Sequence, residues 1–63
     1  MEYMIIDDEN RAQVAQWCGG QIVRDNRPGL ILHTQLGEIR AMPGDIIFKF
    51  VLGYVVYTPK FHL

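Results

Sequence analysis

The sequence predicts an α+β fold in which one short N-terminal helix packs on a small curled antiparallel sheet, an SH3-like half barrel. Three observations carry this expectation. A helix-forming stretch runs into Gly19-Gly20, the apolar spacing changes to a period of two after Gly20, and Gly37 to Phe48 spell strand, Pro-Gly-Asp turn and strand.

Met1 to Ile6 is apolar and β-prone and forms a short strand ending at Asp7-Asp8. Those acids open a helix over about 8 to 18, because Asp7 or Asp8 can accept from the orphan amides of its first turn. Glu9 adds negative charge near the positive end of the helix dipole. Val14, Trp17 and Cys18 share one helical face, and Gly19-Gly20 supplies the left-handed stop. Three turns do not persist alone in water, so the helix must dock on a sheet.

Gln21 to Arg24 reads as a short strand closed by Asp25-Asn26-Arg27-Pro28-Gly29. A strand from Leu30 to Leu36 follows, with Leu30, Leu32, Thr34 and Leu36 on one side and Ile31, His33 and Gln35 on the other. Glu38 to Met42 resumes the sheet with Ile39 and Ala41 inward. After Pro43-Gly44, Ile46 to Val51 alternates again, and Ile46 and Phe48 are expected in the core while Lys49 joins Arg40 on the opposite face. Gly53 turns the chain into Tyr54 to Thr58, and Pro59 ends the pairing. The tail Lys60-Phe61-His62-Leu63 is amphipathic and either packs back or adds an edge contact to a neighbour.

A chain of 63 residues makes a single domain over 1–63, and at that size folding buries only about 60% of the surface of the unfolded chain. Composition is that of a folded protein, with 49% hydrophobic and 21% charged residues. Small cores usually need a disulfide, a metal or a partner. The lone Cys18 excludes an internal disulfide, and Cys18, His33 and His62 do not fall at zinc-site spacing. Oligomerisation is the remaining aid, so a homo-oligomer is expected. A formal charge of −1 offers no field for a nucleic-acid polymer. No apolar run reaches the ~18 residues of a membrane span. Met1-Glu2-Tyr3-Met4 lacks the basic start of a signal peptide, and with one free thiol this points to a reducing cytoplasm.

The chain contains no serine, so Cys18 with His33 or His62 is the only conceivable nucleophile–base pair. Cys18 lies in the last helical turn, where the dipole opposes a thiolate, and reads as a buried apolar residue. Asp7-Asp8-Glu9 is explained by the helix start, and Asp45 by bonds to the amides of its own turn. Gly19-Gly20 and Pro43-Gly44 are turns, too short for a phosphate loop. No catalytic residue, metal site or cofactor is therefore assigned, and the protein is not expected to be an enzyme.

Two features point to binding. The alternation sets His33, Arg40 and Lys49 opposite Leu32, Ile39 and Phe48; with Arg24 or Arg27 at the rim and Tyr54 or Tyr57 nearby, that face could hold a phosphate by charge-assisted bonds and a base by stacking. The alternative is a solvated outer face. The second feature is Ile46 to Tyr57, apolar on both sides of a hairpin, which a small domain can hardly cover alone. Phe50, Val55 and the tail residue Phe61 are the expected contacts of an oligomer interface.

The order and spacing of Glu9-Asn10-Arg11, Val14-Ala15-Gln16-Trp17-Cys18-Gly19-Gly20, Thr34 to Gly37, Ala41-Met42-Pro43-Gly44-Asp45-Ile46-Ile47 and Gly53-Tyr54 through Tyr57 are distinctive. In these segments, which span most of its length, the chain resembles a family of small, mostly uncharacterised proteins of bacteriophages and prophages. It departs from that family at Phe48-Lys49-Phe50-Val51-Leu52, where a more polar approach to the turn is usual, and lacks the acidic tail after Phe61-His62-Leu63. The resemblance implies a phage protein made in the cytoplasm of an infected bacterium, without known enzymatic activity, and transfers no catalytic residue. By association with that class, the expected role is counter-defence. The leading expectation is an oligomeric sponge that sequesters a nucleotide-derived immune signal; the alternatives are a protein inhibitor of a host defence enzyme and a phage accessory protein without a ligand.

Overall fold

The computed structural model describes residues 1–23 and 27–60. It is an α+β arrangement of one helix and two small antiparallel sheets. The elements are β1 (Glu2–Ile5), α1 (Arg11–Cys18), β2 (Leu30–Thr34), β3 (Gly37–Ala41), β4 (Ile46–Phe50) and β5 (Gly53–Tyr57). One sheet has the order β1-β4-β5 and the other pairs β2 with β3. The expected single curled meander is therefore split, and among the described residues the two ladders do not close into a barrel. Gln21 makes only an isolated bridge to Ile31, so the strand expected at 21 to 24 is reduced to one pair, with Arg24 outside the described residues.

The helix begins later than the acids suggested. Asp7 Oδ1 accepts from the amides of Glu9 and Asn10 at 2.8 and 2.7 Å, while Asn10 Oδ1 accepts from the Asp7 amide at 2.9 Å. This reciprocal pair fixes a turn ahead of α1, and Asn10 Nδ2 ties the turn back to the Ile5 carbonyl at 2.7 Å. No acidic residue lies in the first helical turn. The C-terminal end follows expectation: Gly19 is left-handed at φ 70°, and the Gly20 amide donates to the Ala15 carbonyl at 2.8 Å.

Two hairpins frame the interior. The Pro43-Gly44-Asp45 turn joins β3 to β4 across the two sheets. Asp45 is buried; its Oδ2 accepts from the Met42 amide at 2.8 Å, and its own amide donates to the Met42 carbonyl at 2.9 Å. The turn is sewn to the end of β1 as well, with Ile6 donating to the Asp45 carbonyl and Gly44 to the Ile6 carbonyl. A buried carboxylate is tolerated because it is hydrogen-bonded, and Asp45 has the structural role its sequence position suggested.

The core is small: Ile6, Val14, Ala15, Cys18, Leu30, Leu32, Ala41 and Ile47, with Met4, Trp17, Tyr54 and Val56 packed around it. It draws on the helix and on one face of each sheet. In β2 and β3 the expected sides hold as far as Thr34, where β2 ends: Leu30 faces Ala41 and Leu32 faces Ile39, whereas Leu36, expected on the same side, lies beyond the strand and is almost fully exposed. In β4 they are reversed. Ile47 is fully buried, whereas Ile46 and Phe48 are only partly so and stand on the outer face. The pairing decides this, because Ile47 sits between Met4 and Val56, both packed on the core, while Phe48 sits between Tyr3 and Val55. Among the described residues no helix is long and apolar enough to cross a membrane.

Candidate functional site

The residues expected to form a basic and aromatic face are distributed over both sheets. His33 and Arg40 share the face of β2–β3 that points away from the core, with Glu38 directly across from His33. Arg40 is half-buried and its Nη1 donates to the Pro28 carbonyl at 3.2 Å, so it helps hold the approach to β2. Lys49 belongs to the other sheet and to its inner rows, in register with Glu2 and Tyr54. Its Nζ lies 6.0 Å from the centroid of the Trp17 ring, at the outer limit of a cation–π contact.

Tyr54 is engaged at the same end of the molecule. Its ring meets Trp17 edge-on at 5.6 Å, and its hydroxyl donates to the Trp17 carbonyl at 3.3 Å. Trp17 Nε1 in turn donates to Glu2 at 3.4 Å. Lys49, Tyr54, Trp17 and Glu2 thus form one cluster where the helix C-terminus meets the three-stranded sheet. His33 and Arg40 are not part of it, Tyr57 lies on the opposite face of the sheet, and Arg24 and Phe61 lie outside the described residues.

The outer face of β1-β4-β5 is built of residues for which sequence periodicity gave no clear sign. Tyr3, Phe48 and Val55 form one cross-strand row, and Ile5, Ile46 and Tyr57 the next. The Tyr3 and Phe48 rings lie 6.0 Å apart. Tyr3, Ile5, Val55 and Tyr57 are each more than half exposed, and Phe50 extends the face toward the β4–β5 turn at 45% exposure. None of the side chains that β1, β4 and β5 place on it is charged, because the two charged residues of these strands, Glu2 and Lys49, occupy the inner rows. Phe50 and Val55, expected at an interface, are here joined by Tyr57. The missed members, Tyr3, Ile5, Ile46 and Phe48, become legible only once β1 is known to pair with β4.

Beside this face the two hairpin tips approach each other, and Gln35 Nε2 donates to the Leu52 carbonyl at 3.2 Å across the gap. They flank a cleft of about 610 Å³ lined by Ile39, Leu36, Phe50, Leu52, Tyr54 and Val56 among others. Leu36, Val51 and Leu52 project almost fully into solvent from its rim.

Among the described residues there is no group of three or more His, Cys, Asp or Glu side chains placed to hold a metal ion. Burial pushes the Cys18 thiol up from its ordinary value, against smaller opposing effects of backbone hydrogen bonds. The neutral thiol therefore predominates at neutral pH, and iodoacetamide should modify Cys18 in the native protein at least tenfold more slowly than in urea. Equal rates would refute its burial. The sign for stability follows: the folded state holds this proton more tightly, so the contribution is intact at neutral pH and is lost as pH rises above the thiol's ordinary value.

The fold and its surfaces define a small α+β protein with two antiparallel sheets, one of which presents an uncharged outer face. No family model matches the chain, and no curated protein or solved structure matches it either.

Proposed function

We propose that this protein is a non-enzymatic binding protein that works by protein–protein association, with the outer face of β1-β4-β5 as its contact surface. The observation behind this is the make-up of that face: two complete cross-strand rows of apolar and aromatic side chains without a charge among them, in which Tyr3, Ile5, Val55 and Tyr57 are more than half exposed and Ile46 and Phe48 partly buried. The largest apolar patch on a typical monomer is about 300–600 Å² and is often functional, and interface cores are depleted in charge and rich in Tyr and Phe. In the phage setting that the sequence resemblance implies, this favours action through protein contacts over capture of a nucleotide, since Lys49 stands on a different sheet from His33 and Arg40.

The test is site-specific photo-crosslinking in expressing cells. A benzophenone side chain at position 55 should trap a polypeptide, whereas the same group at position 33, on the outer face of β2–β3, should trap at least fivefold less. If position 55 yields no polypeptide adduct, or no more than position 33, the association surface is wrongly assigned.

A further inference from the structure

We infer that the polypeptide covering this face is a second copy of the same chain, packed sheet on sheet about a two-fold axis; this rests on the association surface proposed above and names its partner. Area is the first argument. Tyr3, Tyr57 and Phe50 are about half exposed, and an aromatic side chain carries roughly 150–250 Å². With Ile5, Val55 and the partly buried Ile46 and Phe48, the face offers roughly 600 Å² per copy. Two such faces bury about 1,200 Å², the lower bound for a stable specific interface.

Charge is the second argument. A two-fold contact sets a surface patch against itself, so a charge near the axis would meet its own kind, and one farther out would be buried unpaired without an opposite charge at the matching position. The charged residues of these strands, Glu2 and Lys49, are both turned to the inner rows, and the face can meet its own copy without that penalty. The outer face of β2–β3 contrasts with it, carrying Glu38 beside His33 and Arg40 as a solvated surface does.

Shape is the third. Two sheets pack face to face at about 10 Å when their inward side chains interdigitate. Alternate large and smaller residues, Tyr3 beside Ile5 and Val55 beside Tyr57, provide ridges and gaps of that kind. The product is a layered dimer with each small core shielded on its far side by the other's sheet.

The purified full chain should run at about twice 7.3 kDa in size-exclusion chromatography with light scattering at high micromolar concentration, and shift toward 7.3 kDa on dilution. Val55→Glu and, independently, Tyr57→Glu should raise the dimer dissociation constant at least a hundredfold while the far-UV circular dichroism of each remains that of the parent. A chain that stays at 7.3 kDa at all concentrations, while position 55 crosslinks a different protein in cells, overturns the self-association and leaves the association surface standing. A monomer with no crosslinked polypeptide at all overturns both. A dimer that persists in both folded variants overturns the face, and would place the contact elsewhere, such as the open edge of β1.

Discussion

Gly29→Ala is expected to abolish most of the stability of the fold. Gly29 is buried at φ +90°, in the left-handed region where a Cβ is strained, and a Cβ built there would run into the backbone carbonyl of Ala41. That carbonyl belongs to the strand partner of Leu30, the first residue of β2, so neither side can withdraw without parting the β2–β3 ladder. The left-handed conformation alone costs roughly 1–2 kcal/mol in a non-glycine residue, and a collision between two backbones adds more. Against a total of about 3–9 kcal/mol for a domain of this size, the substitution leaves little. Gly37→Ala provides the control. Gly37 has φ +108° but open space where its Cβ would go, so it carries the conformational cost without the collision. Unfolding free energies from urea titrations should place Gly29→Ala at least about 2 kcal/mol below Gly37→Ala; a difference under about 0.5 kcal/mol would refute the close approach.

The contrast between those two glycines shows where sequence reasoning has purchase. The turn at Gly37 and the left-handed stop at Gly19 are local, and local turn chemistry is written in adjacent residues. The approach of Gly29 to Ala41 is a tertiary fact, twelve positions apart, and nothing near Gly29 in the sequence announces it. Faces follow the same division. Leu30 and Leu32 alternate with the more polar Ile31-His33 side, so the core side of β2 could be read directly. Ile46-Ile47-Phe48-Lys49-Phe50 is apolar on both sides, and the one polar residue pointed the wrong way. Lys49 was expected to mark a solvent face. It lies instead on the inner rows near the end of the strand, where a long side chain can keep its stem on apolar surface and its ammonium near the Trp17 ring and the water beyond. Pairing across the chain, of β1 with β4, set the register that decided the matter. The candidate surface was half legible for the same reason: Phe50, Val55 and Tyr57 lie in one hairpin, while Tyr3 and Ile5 reach that face from the other end of the sequence.

Ile47→Ala is the substitution that tests this sidedness, and a loss of about 2–5 kcal/mol is expected from removing a fully buried isoleucine and leaving a cavity. The cavity has few means of collapsing, because Ile47 is held between Met4 and Val56 by ladders on both sides and belongs to a core cluster of only eight buried hydrophobic residues among those described. Phe50→Ala, on the same strand and with a larger side chain, should cost the isolated chain under about 1 kcal/mol, since the residue is already nearly half exposed to water. The two must be compared under dilute conditions, where loss of an association surface does not contribute to unfolding. At high concentration the order should tighten, because Phe50 then gains a partner and Ile47 does not. Thermal or urea unfolding at two protein concentrations reads both effects. A Phe50→Ala loss equal to that of Ile47→Ala in dilute solution would return the core to the side of β4 that alternation alone had suggested, and would remove the uncharged outer face on which the association surface rests.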